Sequence, residues 1–219
     1  MKNLLLSLFA MLLLAGTASA QGNIFGPRSD YFYNGEEFYR TKFGFEAGLN
    51  MSNTLMGPNT NVNFNTGSLT GFNAGVMVEL PVAYPFSIQP EVLFSQKGFD
   101  ATTVNGNFTQ RTQFLDVPIL GKFVLNRALN FYIGPQISYM AGLRNSFHEG
   151  FNTNNESFYG NVSNKLLYAS VIGASLNVTQ HVELRARYTI DLQQNYSNGN
   201  TYVPNYSNQV VQFGFGYKF

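Results

Sequence analysis

The chain has 219 residues, with 13 basic and 12 acidic side chains, and charged residues make up 11% of it against about 25% in ordinary domains. Such near-neutrality lacks the electrostatic footprint of a nucleic-acid binder, and 16% aromatic residues with 21 glycines are the opposite of a disordered composition. There is no cysteine, which excludes disulfides and any thiol for lipid attachment.

The first element is a leader. Lys2 precedes an apolar run from Leu4 to Leu14 and then Ala18-Ser19-Ala20, the parts of an export signal with its small-residue cleavage site. The run falls short of the roughly 20 apolar residues that span a bilayer as a helix, and a buried core helix would alternate polar and apolar faces instead. Residues 1–20 are therefore predicted to be a cleaved signal peptide. Residues 21–41, with "RSDYFYNGEEFYR", are predicted to be a leader on the periplasmic side, acting as a tether, an interior plug or a disordered segment.

From Lys42 onward the dominant period is two, the signature of strands with one apolar face. In "KFGFEAGLNMS" Phe43, Phe45, Ala47, Leu49 and Met51 alternate with Lys42, Glu46, Asn50 and Ser52. The same pattern runs through "GFNAGVMVEL", "FSIQPEVLFSQ", "FLDVPILGKFVL", "LNFYIGPQISYMA", "YASVIGASLNV", "VELRARYTIDL" and the closing "QVVQFGFGYKF". Eight strands are predicted within a barrel domain over 42–219.

The connections decide the architecture. "PVAYP", "NRA" and "TQH" are short, whereas Asn53 to Thr70, Gly98 to Thr112, Gly142 to Leu167 and Gln193 to Asn208 are long and rich in Asn, Ser, Thr and Gly. Strict alternation of short and long links sorts the turns to one end of an antiparallel meander and the loops to the other, with both termini at the short-turn end. Even strand number, short inner turns, long outer loops and apolar-out alternation describe a transmembrane β-barrel of the outer-membrane type. Closure is required because lipid offers no partner for an open sheet edge. The predicted fold is therefore all-β: an eight-stranded antiparallel up-and-down transmembrane β-barrel, closed and side-chain-filled. The same alternation would also suit a soluble, lipocalin-like barrel turned inside out, in which bulky Phe, Leu and Ile would crowd a small lumen.

The polar face carries the candidate site. Alternation points Lys42, Glu46, Glu79, Glu91, Asp116, Lys122, Glu183, Arg185, Arg187 and Lys218 inward, with Asp191 near the loop end. Eight strands enclose a space only just filled by side chains, where buried charges must pair. An interior ion-pair lattice that plugs the barrel is the expectation, in preference to an ion path lined by Arg185 and Arg187.

Catalytic and metal chemistry have little to build on. His148 lies near Ser146 and Glu149 in one long link, His181 sits in a short turn at the other end, and no G-x-S-x-G stretch occurs. Two separated histidines without cysteine give no metal spacing. No enzyme, cofactor or metal is expected. The long links carry aromatics such as Phe108, Phe147, Phe151, Phe158, Tyr159, Tyr196, Tyr202 and Tyr206 among small polar residues, which suits either an adaptable binding surface or packing on the rim. Phe43, Tyr84, Phe86, Phe131, Tyr217 and Phe219 are expected to form an interfacial girdle at the short-turn end, with Tyr139, Tyr168 and Tyr188 opposite.

Several of these stretches resemble one family. "FSIQPEVLFSQKGF" followed by "TQFLDVPILGKF" resembles the third and fourth strands of the PorT-like outer-membrane β-barrel family of the Bacteroidetes, "KFGFEAGLNMS" its first strand and "FGFGYKF" its last. The resemblance spans Lys42 to Phe219. It implies an eight-stranded barrel in the outer membrane of a Gram-negative bacterium. The family's namesake takes part in protein secretion and gliding-related export, but most relatives have no assigned role, so that role does not carry over. The end of the chain, with Phe213, Phe215, Tyr217 and Phe219 on one face, resembles the C-terminal signal read by the barrel-assembly machinery. The expected partners are therefore outer-membrane lipid and that machinery, with an envelope protein or extracellular ligand as a further candidate and nucleic acid excluded.

Overall fold

The computed structural model describes residues 40–56, 65–103, 106–149, 152–158, 166–193 and 206–219. The signal segment 1–20, and all but the last two residues of the leader 21–41, lie outside them. Nine strands occur among the described residues: β1 Lys42–Met56, β2 Asn65–Ala83, β3 Phe86–Thr103, β4 Gly106–Val124, β5 Leu129–Glu149, β6 Asn152–Phe158, β7 Leu166–Asn177, β8 Val182–Asp191 and β9 Tyr206–Lys218. Every pairing is antiparallel. Pairing follows chain order from β1 to β5, passes to β7, β8 and β9, and returns to β1, so eight strands close into a ring. The closing seam runs from Gly44↔Lys218 to Met56↔Tyr206.

The ninth strand corrects the expected loops. β6 pairs only with β5, from Leu143↔Phe158 to Glu149↔Asn152, and stands outside the ring. The link expected from Gly98 to Thr112 is likewise nearly all strand, since β3 and β4 stay paired up to Thr103↔Gly106. Once a strand leaves lipid it no longer needs an apolar face, so the alternation ends while the β-structure continues. The Asn105-Gly106 pair is a sequence signal for such a hairpin.

Alternation has the sense a membrane demands. Phe45, Leu49, Val76, Ile88, Val92, Ile119, Ile133, Ile137, Ile172, Leu184 and Phe215 are all exposed, whereas Glu46, Asn50, Gln89, Glu91, Ser95, Asp116, Gln136 and Ser138 are buried. A soluble monomer rarely exposes contiguous apolar patches beyond a few hundred Å²; here they surround the molecule. The lipocalin-like alternative requires the reverse arrangement and is overturned.

Where the ladder is interrupted, buried polar side chains complete it. The β2–β3 register shifts by one residue between Ser68↔Phe99 and Asn73↔Ser95, a bulge that leaves backbone groups without ladder partners. Asn50 Nδ2, reaching across from β1, donates to Phe72 O at 3.1 Å and to Gln96 O at 2.9 Å. Ser52 Oγ donates to Gly98 O at 2.7 Å and accepts from Gly98 N at 2.9 Å. In a lipid-embedded wall an unpaired backbone group costs several kcal/mol, so this polar face maintains the wall itself.

Candidate functional site

The chemistry of the described residues is concentrated inside the barrel, where six acids and five bases among them are buried. At the short-turn end they form a four-membered cluster of alternating charge. Lys122 Nζ lies 3.0 Å from Glu79 and 3.4 Å from Glu183, and Lys218 Nζ lies 2.7 Å and 2.8 Å from the same two carboxylates. β4 and β9, which supply the lysines, stand four places apart either way round the ring. The two ammonium groups therefore reach in from opposite walls.

A second cluster lies toward the middle of the barrel. Arg185 and Arg187, two residues apart on β8 and so on one face, each bridge Glu46 of β1 and Glu91 of β3. Arg185 Nη2 is 2.5 Å and Arg187 Nη1 2.8 Å from Glu91. β3 also stands opposite β8 in the ring, so these bonds cross the full diameter. A 3.6 Å approach of Arg185 Nε to Glu183 joins the two clusters. The planar, five-donor guanidinium suits this doubly bridging role better than an ammonium would. A small cavity of about 10 Å³ touches Glu46, Asn73, Arg185, Arg187 and Gln212, room for about one water molecule.

Above the arginines, toward the long-loop end, lies a layer of amides and then a last ion pair. Asn50 Oδ1 accepts from Asn73 at 2.5 Å and from Gln212 at 2.8 Å. Lys97 pairs with Asp116 at 2.8 Å and lies 4.8 Å from the centre of the Phe114 ring. Asp191 accepts from the Asn208 side chain at 2.7 Å.

The interior is only half polar, contrary to the expectation of a polar inner face. The walls from β4, β5 and β7 turn apolar side chains inward: Leu120, Tyr132 and Val171 in one cluster, Phe114, Met140 and Leu167 in another. Tyr132 connects this side to the charges. Its ring centre is 5.1 Å from the Arg185 guanidinium and its hydroxyl donates to Ala186 O at 3.2 Å. Gly173 makes the room, since a Cβ there would meet Tyr132 Cε2 at 2.5 Å.

Of the residues singled out from sequence, Glu46, Glu79, Glu91, Asp116, Lys122, Glu183, Arg185, Arg187 and Lys218 all enter these ion pairs. Lys42 does not. It begins β1 at the rim, half-buried, and the carboxylate of its register partner Glu79 is taken by Lys122 and Lys218. Lys97 takes the vacant place in the inventory. Continuing the alternation of Gln89, Glu91 and Ser95 by one more step reaches it, but the strand predicted from "FSIQPEVLFSQ" ends at Gln96.

The remaining candidates fall on the outside or beyond the described residues. Phe213 and Tyr217 are half-buried on the outer face, and Phe215 and Phe219 are exposed. Tyr217 stacks on Phe45 at 5.5 Å and on His181 at 5.8 Å, and Phe219 N donates to Phe43 O at 2.8 Å, which pins the chain end to β1. Phe43, Phe86 and Phe131 are exposed near the same end, Tyr139 and Tyr168 toward the other. Ser146 and His148 lie in β5, in register with Thr109 and Asn107. The side chains of His148 and Glu149 fall outside the described residues, as do Phe151, Tyr159, Tyr196 and Tyr202. Among the described residues no group of His, Asp and Glu suits a metal ion.

A family model agrees with this architecture. The family model described as outer membrane protein beta-barrel domain matches residues 28–197. Among solved structures, the chain is similar to Ail, the attachment invasion locus protein of Yersinia pestis, at 13% identity and a TM-score of 0.49, over 82% of this chain and 99% of that one. It is also similar to Neisserial surface protein A at 16% identity and 0.49, over 81% and 97%, and to OprG from Pseudomonas aeruginosa at 13% and 0.38, over 83% and 97%. None of the curated proteins compared with the chain matches it. A matched model covering well over half of the sequence places the chain in the outer membrane protein beta-barrel domain family, as an outer-membrane protein.

Proposed function

We propose that the chain is a closed, non-conducting outer-membrane barrel with a structural or interaction role, serving as an accessory to envelope assembly or secretion. The observation that carries this reading is the pair of β8 arginines bonded to Glu91 on the opposite wall. Bonds across the full diameter leave no continuous water path. An unpaired charge here would be costly, so the fixed interior is suited to holding a rigid wall and presenting the rim. In this reading residues 1–20 are the export signal, 21–41 a periplasmic leader, and both termini are periplasmic. Phe213, Phe215, Tyr217 and Phe219 then supply the outward face by which the barrel-assembly machinery takes the chain. The PorT-like resemblance of the strands supports an envelope role in a Gram-negative bacterium of the Bacteroidetes.

A second reading is a surface receptor or adhesin, favoured by the β5–β6 hairpin that rises outside the ring. A lipid-active enzyme is a weaker third reading. Reconstitution in planar bilayers tests closure, with no stable conductance steps expected; steps of constant size would contradict it. Crosslinking in cells before detergent extraction then separates the roles. Recovery of an envelope protein supports the first, and binding to cell-surface material that is lost when residues 145–164 are removed supports the second.

A further inference from the structure

Two arginines face each other on the outside of the barrel. Arg111 of β4 and Arg144 of β5 are direct register partners, both exposed. Like charges directly opposite on paired strands repel, with Cβ atoms about 5 Å apart.

The juxtaposition depends on an irregularity. Met140 is buried inside the barrel, and strict alternation would send Arg144 inward with it. The β4–β5 register shifts between Gln113↔Gly142 and Phe114↔Met140, leaving Ala141 as an extra residue on β5. That bulge reverses the facing of every later β5 residue and turns Arg144 outward opposite Arg111. Bulges at barrel rims commonly re-aim a side chain in this way.

The height of the pair indicates what it meets. Below it on the outer face lie Leu115, Tyr139 and Tyr168, all exposed and among the last apolar residues of the belt. Arg111 is four residues beyond Leu115, about 13 Å along a strand and about 10 Å along the axis at a tilt of about 40°. This is the level of headgroups, beyond the hydrocarbon. Polar groups near the pair on this face include Gln96, whose Oε1 accepts from Arg111 Nη1 at 3.4 Å, and Asp100, in register with Thr109. Among the described residues no ion pair joins Asp100 to either arginine.

We propose that Arg111 and Arg144 form a binding site for the phosphate of an anionic lipid in the leaflet at the long-loop end. Two guanidinium groups present paired N–H donors that match phosphate oxygens, and a dianionic headgroup between them turns their repulsion into two attractions. The site rests on the outer-membrane reading above, and it gives that reading's lipid partner a chemical class and an address.

The test uses the full mature chain, refolded into neutral zwitterionic detergent, and a bisphosphorylated glycolipid as the probe. Arg111→Gln/Arg144→Gln is expected to weaken probe binding at least 10-fold, while Arg40→Gln at the opposite end changes it less than 2-fold. The Arg111→Lys/Arg144→Lys variant retains most of the binding. Thermal unfolding adds a sign that a merely structural role would not give. Without the probe Arg144→Gln is expected to match or exceed the parent, because the repulsion is gone, and with the probe it falls below the parent. Unchanged binding, an equal loss for Arg40→Gln, destabilisation of Arg144→Gln without probe, or equal binding of the dephosphorylated glycolipid would each overturn the proposal. Competition by inorganic phosphate at equal concentration would overturn the lipid as the source. Failure of the parent to insert into vesicles would instead count against the membrane reading.

Discussion

At the residue scale the buried charges are best understood through what each would cost alone. Lys97 and Asp116 form the simplest case, since their 2.8 Å contact stands apart from the larger clusters. Lys97→Met leaves an isolated buried carboxylate and is expected to destabilise the barrel by about 3–5 kcal/mol, whereas Lys97→Met/Asp116→Leu recovers most of that loss. Urea titration of the refolded protein in detergent, read by heat-modifiable gel mobility, measures both, and an additive double variant would contradict the pairing. Most of the buried charges were legible from parity alone, because a residue between two outward apolar neighbours must point in. Lys97 was not, because it follows the last clearly alternating residue. Arg144 was illegible for another reason: a bulge reverses facing without leaving any composition signal. The inward apolar residues Leu120, Tyr132 and Met140 were not legible because an outward apolar alternation leaves the polarity of the residues between unconstrained.

At the element scale the strands are defined by where their outer faces meet lipid. Ile133 lies on the outer face of β5 within the belt, and Leu166 opens β7 at its upper edge, in register with Tyr139. The cost of an outward charge depends on depth, so Ile133→Arg is expected to destabilise by about 2–4 kcal/mol and Leu166→Arg by about 0–1 kcal/mol. Urea unfolding in phospholipid vesicles compares them, and equal costs would mean that β5 and β7 do not sit at the depth assigned. The eight staves were legible from period-two runs and from the alternation of short and long links. Their full lengths were not. β3 and β4 extend past the lipid as polar, Thr- and Asn-rich hairpin arms with no contrast between faces, and β6 belongs entirely to such an arm.

At the scale of the whole molecule, the inverted distribution of polarity unites the observations. The outside is apolar because it replaces lipid contacts, and the inside is charged because an eight-stranded ring can be closed by bonds from wall to wall. Antiparallel pairing around a complete ring leaves the staves without a free edge, the condition for crossing a bilayer with strands. A single-cysteine scan along β5 tests this arrangement most directly, because the chain has no native cysteine. Ile133→Cys and Ile137→Cys should react in intact outer membranes with a membrane-partitioning maleimide and resist a water-soluble one. Gln136→Cys and Ser138→Cys, facing the filled interior, should resist both until the protein is unfolded. Rapid labelling of Ile133→Cys by the water-soluble reagent in intact membranes would contradict the lipid-facing wall, and similar labelling of Gln136→Cys or Ser138→Cys would contradict the closed interior.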